Sequence, residues 1–179
     1  LESLSSRDAK VRANTLTLLK NLIRLQPTQV QNIFLDSTAQ KLILGLEDDS
    51  VDAIRSSFYL LIPSLVKGNP DIQQVFAFSL IDPLADKILS SPNKVLPVIH
   101  SLLENNPKIQ TLFVKTGHLG KLLPSIQNGD VNSIDLLTLI FKSAEAGSFR
   151  PFLSETNLMN SILEQALSTT PNEKRRDFL

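Results

Sequence analysis

Apolar residues along this chain recur at intervals of three and four. In VRANTLTLLKNLIRL, the residues Val11, Leu16, Leu18, Leu19, Leu22, Ile23 and Leu25 form a broad stripe, the spacing that gathers side chains on one face of an α-helix. A strand needs alternation at two, and the pattern lacks it. Proline falls mainly between the periodic segments, where it ends helices. The pattern predicts an all-α protein.

Three segments read almost alike: NLIRLQPTQVQNIFLDSTAQKLILGL from Asn21, SLVKGNPDIQQVFAFSLIDPLADKIL from Ser64 and SLLENNPKIQTLFVKTGHLGKLLPSI from Ser101. Each has an apolar helix end, a proline, a V/I-Q-x-[IVL]-F run and a second apolar helix. With the prolines at 27, 70 and 107, the period is about 40 residues, which marks an α-solenoid of the armadillo or HEAT type. We expect about four three-helix repeats over 1–167 and a polar tail over 168–179. The long helices are predicted at 7–26, 50–68, 93–106 and 130–146, the short ones at 28–36, 71–79, 108–116 and 149–155. The third helices are predicted at 38–46, 80–90, 118–127 and 157–167. Ser and Asp in SSRDAK, EDDSVDA and NGDVNS supply caps for the long helices. Phe34, Phe76, Phe113 and Phe152 recur once per repeat and are read as core fillers between layers. Pro63 and Pro97 fall inside long helices, where each removes a backbone donor and is expected to kink its helix.

Composition narrows the function. Lys+Arg and Asp+Glu number 18 each, so net charge offers no argument for nucleic acid or an anionic membrane. No apolar run of 18 residues is present to span a bilayer. The absence of cysteine rules out disulfides, thiolate metal sites and a cysteine nucleophile. The chain opens on Leu in what reads as the first helix of a series, and the reading is of a fragment that acts as a monomer.

No constellation for chemistry emerges. His100 lies among Val98, Ile99 and Leu102 on a long helix, His118 follows Gly117 at a helix start, and nothing in the spacing brings the two together. The acids of EDDS, at 47–50, suit a helix cap with favourable dipole charge better than a metal. No glycine-rich phosphate loop occurs. The expectation is a binding protein, not an enzyme, with no catalytic residue, cofactor or metal.

In an armadillo repeat the long helix lines the concave groove, and its solvent-facing positions form the default binding surface. Six residues before each proline stand Asn21, Ser64 and Ser101, with Lys142 nearby on the fourth long helix. Seven residues back lie Asn14, Ser57, Lys94 and Asp135; three residues on lie Arg24, Lys67 and Glu104. This stripe is polar and mixed in charge, better suited to a folded domain than to an apolar peptide. It does not form the asparagine ladder of peptide-binding importins.

The segment NKVLPVIHSLLENNPKIQTLFVKTGHLGKLLPSI resembles the armadillo nucleotide-exchange factors of Hsp70 chaperones. That family shows an NNP-like helix end followed by xQxxFxxxGxLxxLL. VNSIDLLTLIFKSAEAGSF resembles the next helix in the lumenal, BiP-associated branch, and the unit upstream fits more loosely, lacking the usual glycine at FSLIDP. The resemblance implies a concave face that clasps the ATPase domain of an Hsp70-class chaperone. It would favour the open nucleotide cleft and so speed ADP release. It also implies a place in the endoplasmic reticulum lumen, and the terminal Arg-Asp-Phe-Leu is one residue from a retention signal. The alternative is an armadillo/HEAT scaffold, such as a trafficking or cytoskeletal adaptor in the cytoplasm.

Overall fold

The computed structural model describes residues 1–128 and 130–143. They fold as an armadillo/HEAT-like α-solenoid, with no strand among the described residues. After a short 3-10 turn at Glu2–Ser5 come α1 (Ala9–Leu25), α2 (Pro27–Ile33), α3 (Ser37–Leu44), α4 (Asp52–Val66) and α5 (Pro70–Asp86). They are followed by α6 (Pro92–Leu103), α7 (Pro107–Lys115), α8 (Leu119–Gln127) and α9 (Val131–Ser143). The long helices α1, α4, α6 and α9 lie side by side in chain order, each packed on the next.

Helix starts follow from local chemistry. The Asp8 carboxylate accepts from Lys10 N–H and opens α1, and Asp36 accepts from Thr38 and Ala39 N–H and opens α3. Those two amide donors hold the Asp36 carboxyl below its usual range. Asp130 accepts from Ser133 N–H at the start of α9. In α4 the cap position is Val51, whose side chain cannot bond, and Asp49 instead accepts from Val51 N–H. Proline opens α2, α5, α6 and α7 at the first turn, where a missing N–H costs nothing.

The second repeat corrects the expected helices. A break was expected between 79 and 80, yet α5 runs unbroken from Pro70 to Asp86. In the first repeat the chain turns at Asp36, and in the third at Gly117, whose φ of 78° suits glycine. The aligned residues of the second repeat are Phe78 and Leu80. Neither breaks a helix, and burying Leu80 rewards continuation.

Phe34, Phe76 and Phe113 are fully buried, and Phe34 meets Phe76 edge to face with centroids 6.2 Å apart. Phe152, the helices expected beyond 146 and the tail at 168–179 lie outside the described residues. Pro63 and Pro97 do sit inside α4 and α6.

Candidate functional site: a groove on the long helices

The solenoid brings α4, α6 and α9 together around an open groove of about 340 Å³. Pro63 and Lys67 come from α4 and its C-terminal cap, and Leu96, Pro97, His100, Ser101 and Glu104 from α6 and its cap. Asn132 and Asp135 come from α9. Four of the residues expected from the sequence therefore converge: Lys67, Ser101, Glu104 and Asp135. Their surroundings mix one cation, two carboxylates, an imidazole and proline rings. Such a surface offers hydrogen bonds and charge to a partner's polar side chains, with a small apolar floor.

Ser101 departs from the expectation. It is buried, and its hydroxyl donates to the Val98 carbonyl at 2.7 Å, so it contributes to the groove floor rather than to a polar ladder. Asn14, Asn21 and Arg24 are exposed on α1, Ser64 on α4 and Lys142 on α9; none of them lines the groove. Ser57 turns its hydroxyl to the Ala53 carbonyl and helps line a smaller hollow of about 180 Å³ between α1 and α4.

Lys94 belongs elsewhere again. It bonds the Asp52 carboxylate at 3.2 Å, beside a third hollow lined by Glu47, Asp48, Arg55, Tyr59 and Lys87 among others. The acids of EDDS are accounted for there. Glu47 and Asp48 pair with Lys87 at 2.8 and 3.6 Å, and Asp49 forms a two-pronged pair with Arg12 at 2.7 and 2.9 Å. Burial works to lower the Lys87 ammonium, but its bond and attraction to Glu47 outweigh that and leave it raised. Burial pushes the Tyr59 phenol up in the same cluster. No group of three or more potential metal ligands occurs among the described residues.

His100 stands on the groove wall, while His118 is buried and meets the Asp82 carboxylate at 2.7 Å. Sequence reasoning missed Pro63, Leu96, Pro97, His100 and Asn132 as groove residues. The repeat register held the signal: Lys20, Pro63 and His100 are equivalent, one step before Asn21, Ser64 and Ser101. On α4 and α6 the groove thus takes in the position one before Ser64 and Ser101, while Lys67, Glu104 and Asp135 of the expected stripe also reach it.

The motif behind the exchange-factor resemblance is structural. The Gln31 side chain donates to the Leu65 and Lys67 carbonyls at 2.9 and 3.0 Å, and Gln73 to those of Ser101 and Glu104, both at 2.9 Å. Each glutamine ties one repeat to the C-terminal end of the next long helix, where carbonyls lack helical partners. In GNP and NNP, Gly68 and Asn105 take positive φ, the following asparagine caps, and proline begins the helix. These residues serve stacking, so they mark the solenoid and not one partner.

Comparison with known proteins overturns the exchange-factor reading. No protein-family model matches the chain. Over 122 residues it is 28% identical to the intracellular protein transport protein Uso1 of Saccharomyces cerevisiae, covering 63% of this chain and 7% of that protein. Two crystal structures, of Uso1-2 and Uso1-1, superpose on 91% of this chain with TM-scores of 0.73 and 0.72. Both are 21% identical, and the match covers 27% and 28% of their chains. The chain thus spans a small part of each relative. These likenesses confirm the solenoid. They leave the lumenal exchange factor, its chaperone partner and the endoplasmic reticulum lumen without support. Among the described residues, no helix is long and apolar enough to cross a membrane.

Proposed function

We propose that this chain is a non-catalytic protein-interaction segment of an intracellular transport protein, a trafficking adaptor acting in the cytoplasm. The observation that carries the reading is the sequence likeness to Uso1 over 122 residues. The groove between α4, α6 and α9 supports it physically. Its mixed charge, with Lys67 set against Glu104 and Asp135, suits a folded, polar partner surface and steers orientation more than it adds affinity.

The test is replacement. In yeast depleted of Uso1, a chimera carries this chain in place of the region it resembles, and delivery of a transported protein is timed. Restored delivery is expected, and it should fall when Lys67→Glu and Glu104→Lys are introduced together. A chimera that is folded and abundant yet restores nothing would reject the adaptor reading. Restoration insensitive to the double exchange would reject the groove.

A further inference from the structure

The chain between α5 and α6 presents a hydroxyl that the fold leaves unused. Ser91 stands directly before Pro92, with Lys94 three residues on; Thr170 is the one other hydroxyl residue of the chain that precedes a proline. Ser91 occupies the cap position of α6, yet its hydroxyl makes no capping bond. Its side chain is half-buried, and Ser90, Asn93 and Lys94 around it are exposed. Ser101, Ser125 and Ser133, in contrast, are buried.

These are the features that a proline-directed protein kinase reads. Proline after the serine brings no N–H that the enzyme's cleft must satisfy, and a cation three residues on supplies charge for recognition. Such an enzyme takes its substrate extended, so the first turn of α6 has to open. Little holds that turn closed. Lys94 and Val95 N–H both bond the Ser91 carbonyl, at 3.0 and 3.1 Å, and the Lys94 ammonium reaches the Asp52 carboxylate at 3.2 Å. Both partners of that ion pair are exposed, which keeps it weak. Terminal turns of helices open at small cost in free energy.

We propose that Ser91 is a phosphorylation site for a proline-directed protein kinase, and that its phosphate takes Lys94 from Asp52. Ser91 Oγ attacks the γ-phosphorus of ATP. The Oγ–P bond forms as the bond from phosphorus to the bridging oxygen breaks, ADP leaves, and the hydroxyl proton passes to the kinase's catalytic carboxylate. The product sits on the rim of the hollow that already sets Arg55, Lys87 and Lys94 against Glu47, Asp48 and Asp52. Lys87 is held by two carboxylates, and Arg55 by Asp52 and the Asp49 carbonyl. Lys94, with one exposed partner among the described residues, is therefore the cation that exchanges. A phosphoserine brings about −1.5 to −2 charges and three strong acceptors, and binds an ammonium more tightly than a single carboxylate does. A tie between α4 and α6 is thereby replaced by one within α6, whose following turns carry the groove residues Leu96, Pro97 and His100.

The folded 179-residue chain is incubated with ATP and a purified cyclin-dependent kinase, beside a peptide of residues 86–98, and the products are mapped by mass spectrometry. One phosphate at Ser91 of the folded chain is expected, at the same level in Thr170→Ala and lost in Ser91→Ala. Pro92→Ala keeps a good helix former in the first turn of α6. It should lower kcat/KM for the kinase at least about tenfold, the scale on which a single apolar contact is discriminated. A folded chain without phosphate at Ser91, whether or not the peptide is modified, overturns the site, as does a Pro92→Ala chain modified as fast as the native one. The role of Lys94 is read by phosphorus NMR of the phosphorylated chain. The second ionisation of the phosphate should fall at lower pH in the native chain than in Lys94→Ala, because the ammonium favours the dianion. Equal midpoints would show that Lys94 stays with Asp52.

Discussion

Asn106 donates its side-chain N–H to the side-chain carbonyl of Gln73 at 3.2 Å, and both residues are buried. Asn106 also accepts from Ile109 N–H as the cap of α7, while Gln73 donates to two carbonyls at the end of α6. Asn69 and Gln31 repeat the arrangement one layer earlier, again at 3.2 Å. The pair joins a helix start, a helix end and the neighbouring repeat in one network. Gln73→Ala would strand the Ser101 and Glu104 carbonyls and one Asn106 donor. Since each buried unsatisfied group costs about 1–3 kcal/mol, a loss of about 3 kcal/mol is expected from urea unfolding. With Asn106→Ala in a double-mutant cycle, the two changes should couple by about 1 kcal/mol or more. Additive losses would show that the bond contributes nothing of its own.

Gly68 and Asn105 occupy the same place in successive repeats, with φ of 69° and 55°. Each lets the chain leave a long helix and reach its Asn-Pro start. Nothing lies within 4 Å of a Cβ built on Gly68, so the cost of Gly68→Ala is conformational, about 1 kcal/mol. Asn105→Gly should be neutral or slightly stabilising. A thermal scan of both variants checks this, and a harmless Gly68→Ala would mean that the turn adopts another conformation.

Phe76 and Phe78 lie two residues apart on α5 and behave oppositely. Phe76 is fully buried against Phe34, and Phe78 is exposed. Phe76→Ala should cost about 3–5 kcal/mol through lost burial and the cavity left behind. Phe78→Ser should stay within about 0.5 kcal/mol of the native chain. Denaturant midpoints measured side by side decide it. A large cost at Phe78 would show that a further element covers it.

The contrast at α5 also marks what the sequence could tell. Helical period, the repeat and the burial of Phe34, Phe76 and Phe113 were readable, because each depends on residues close in the chain or on a regular spacing. The continuity of α5 was misread because the repeat template supplied a break that Phe78 and Leu80 do not encode. The role of the glutamines was hidden, since their partners are backbone carbonyls about 30 residues away and carry no side-chain signature. Read as a family mark, the motif suggested a chaperone partner. The groove was half legible: its helices were identified, but which turn of each faces the groove depends on how α4, α6 and α9 pack. Lys94 looked free in the sequence because its partner, Asp52, lies on another helix.

The Arg12–Asp49 pair gives stability a definite pH dependence. The hydrogen bond from Arg12 is the main reason the Asp49 carboxyl sits below its ordinary 3.8, followed by burial, which opposes it, and the Val51 N–H, which reinforces it. A carboxyl with a depressed folded-state pKa adds stability that is fully present above the unfolded value. That stability fades as pH falls through the folded one. Asp49→Asn removes this titration while keeping the shape. At pH 7 the variant should unfold at clearly lower urea than the native chain, because Arg12, also bonded to the Ser6 and Arg7 carbonyls, loses its counter-charge. From about pH 4 downward the native midpoint should drop faster than the variant's, and the two should meet once Asp49 is protonated in the folded chain. Asp36, Asp52 and Asp86, also held low, titrate in both proteins and cancel in the difference. A gap that stays constant down to pH 3 would show that folding does not favour the ionised carboxylate of Asp49, and would assign the loss to packing at the substituted side chain.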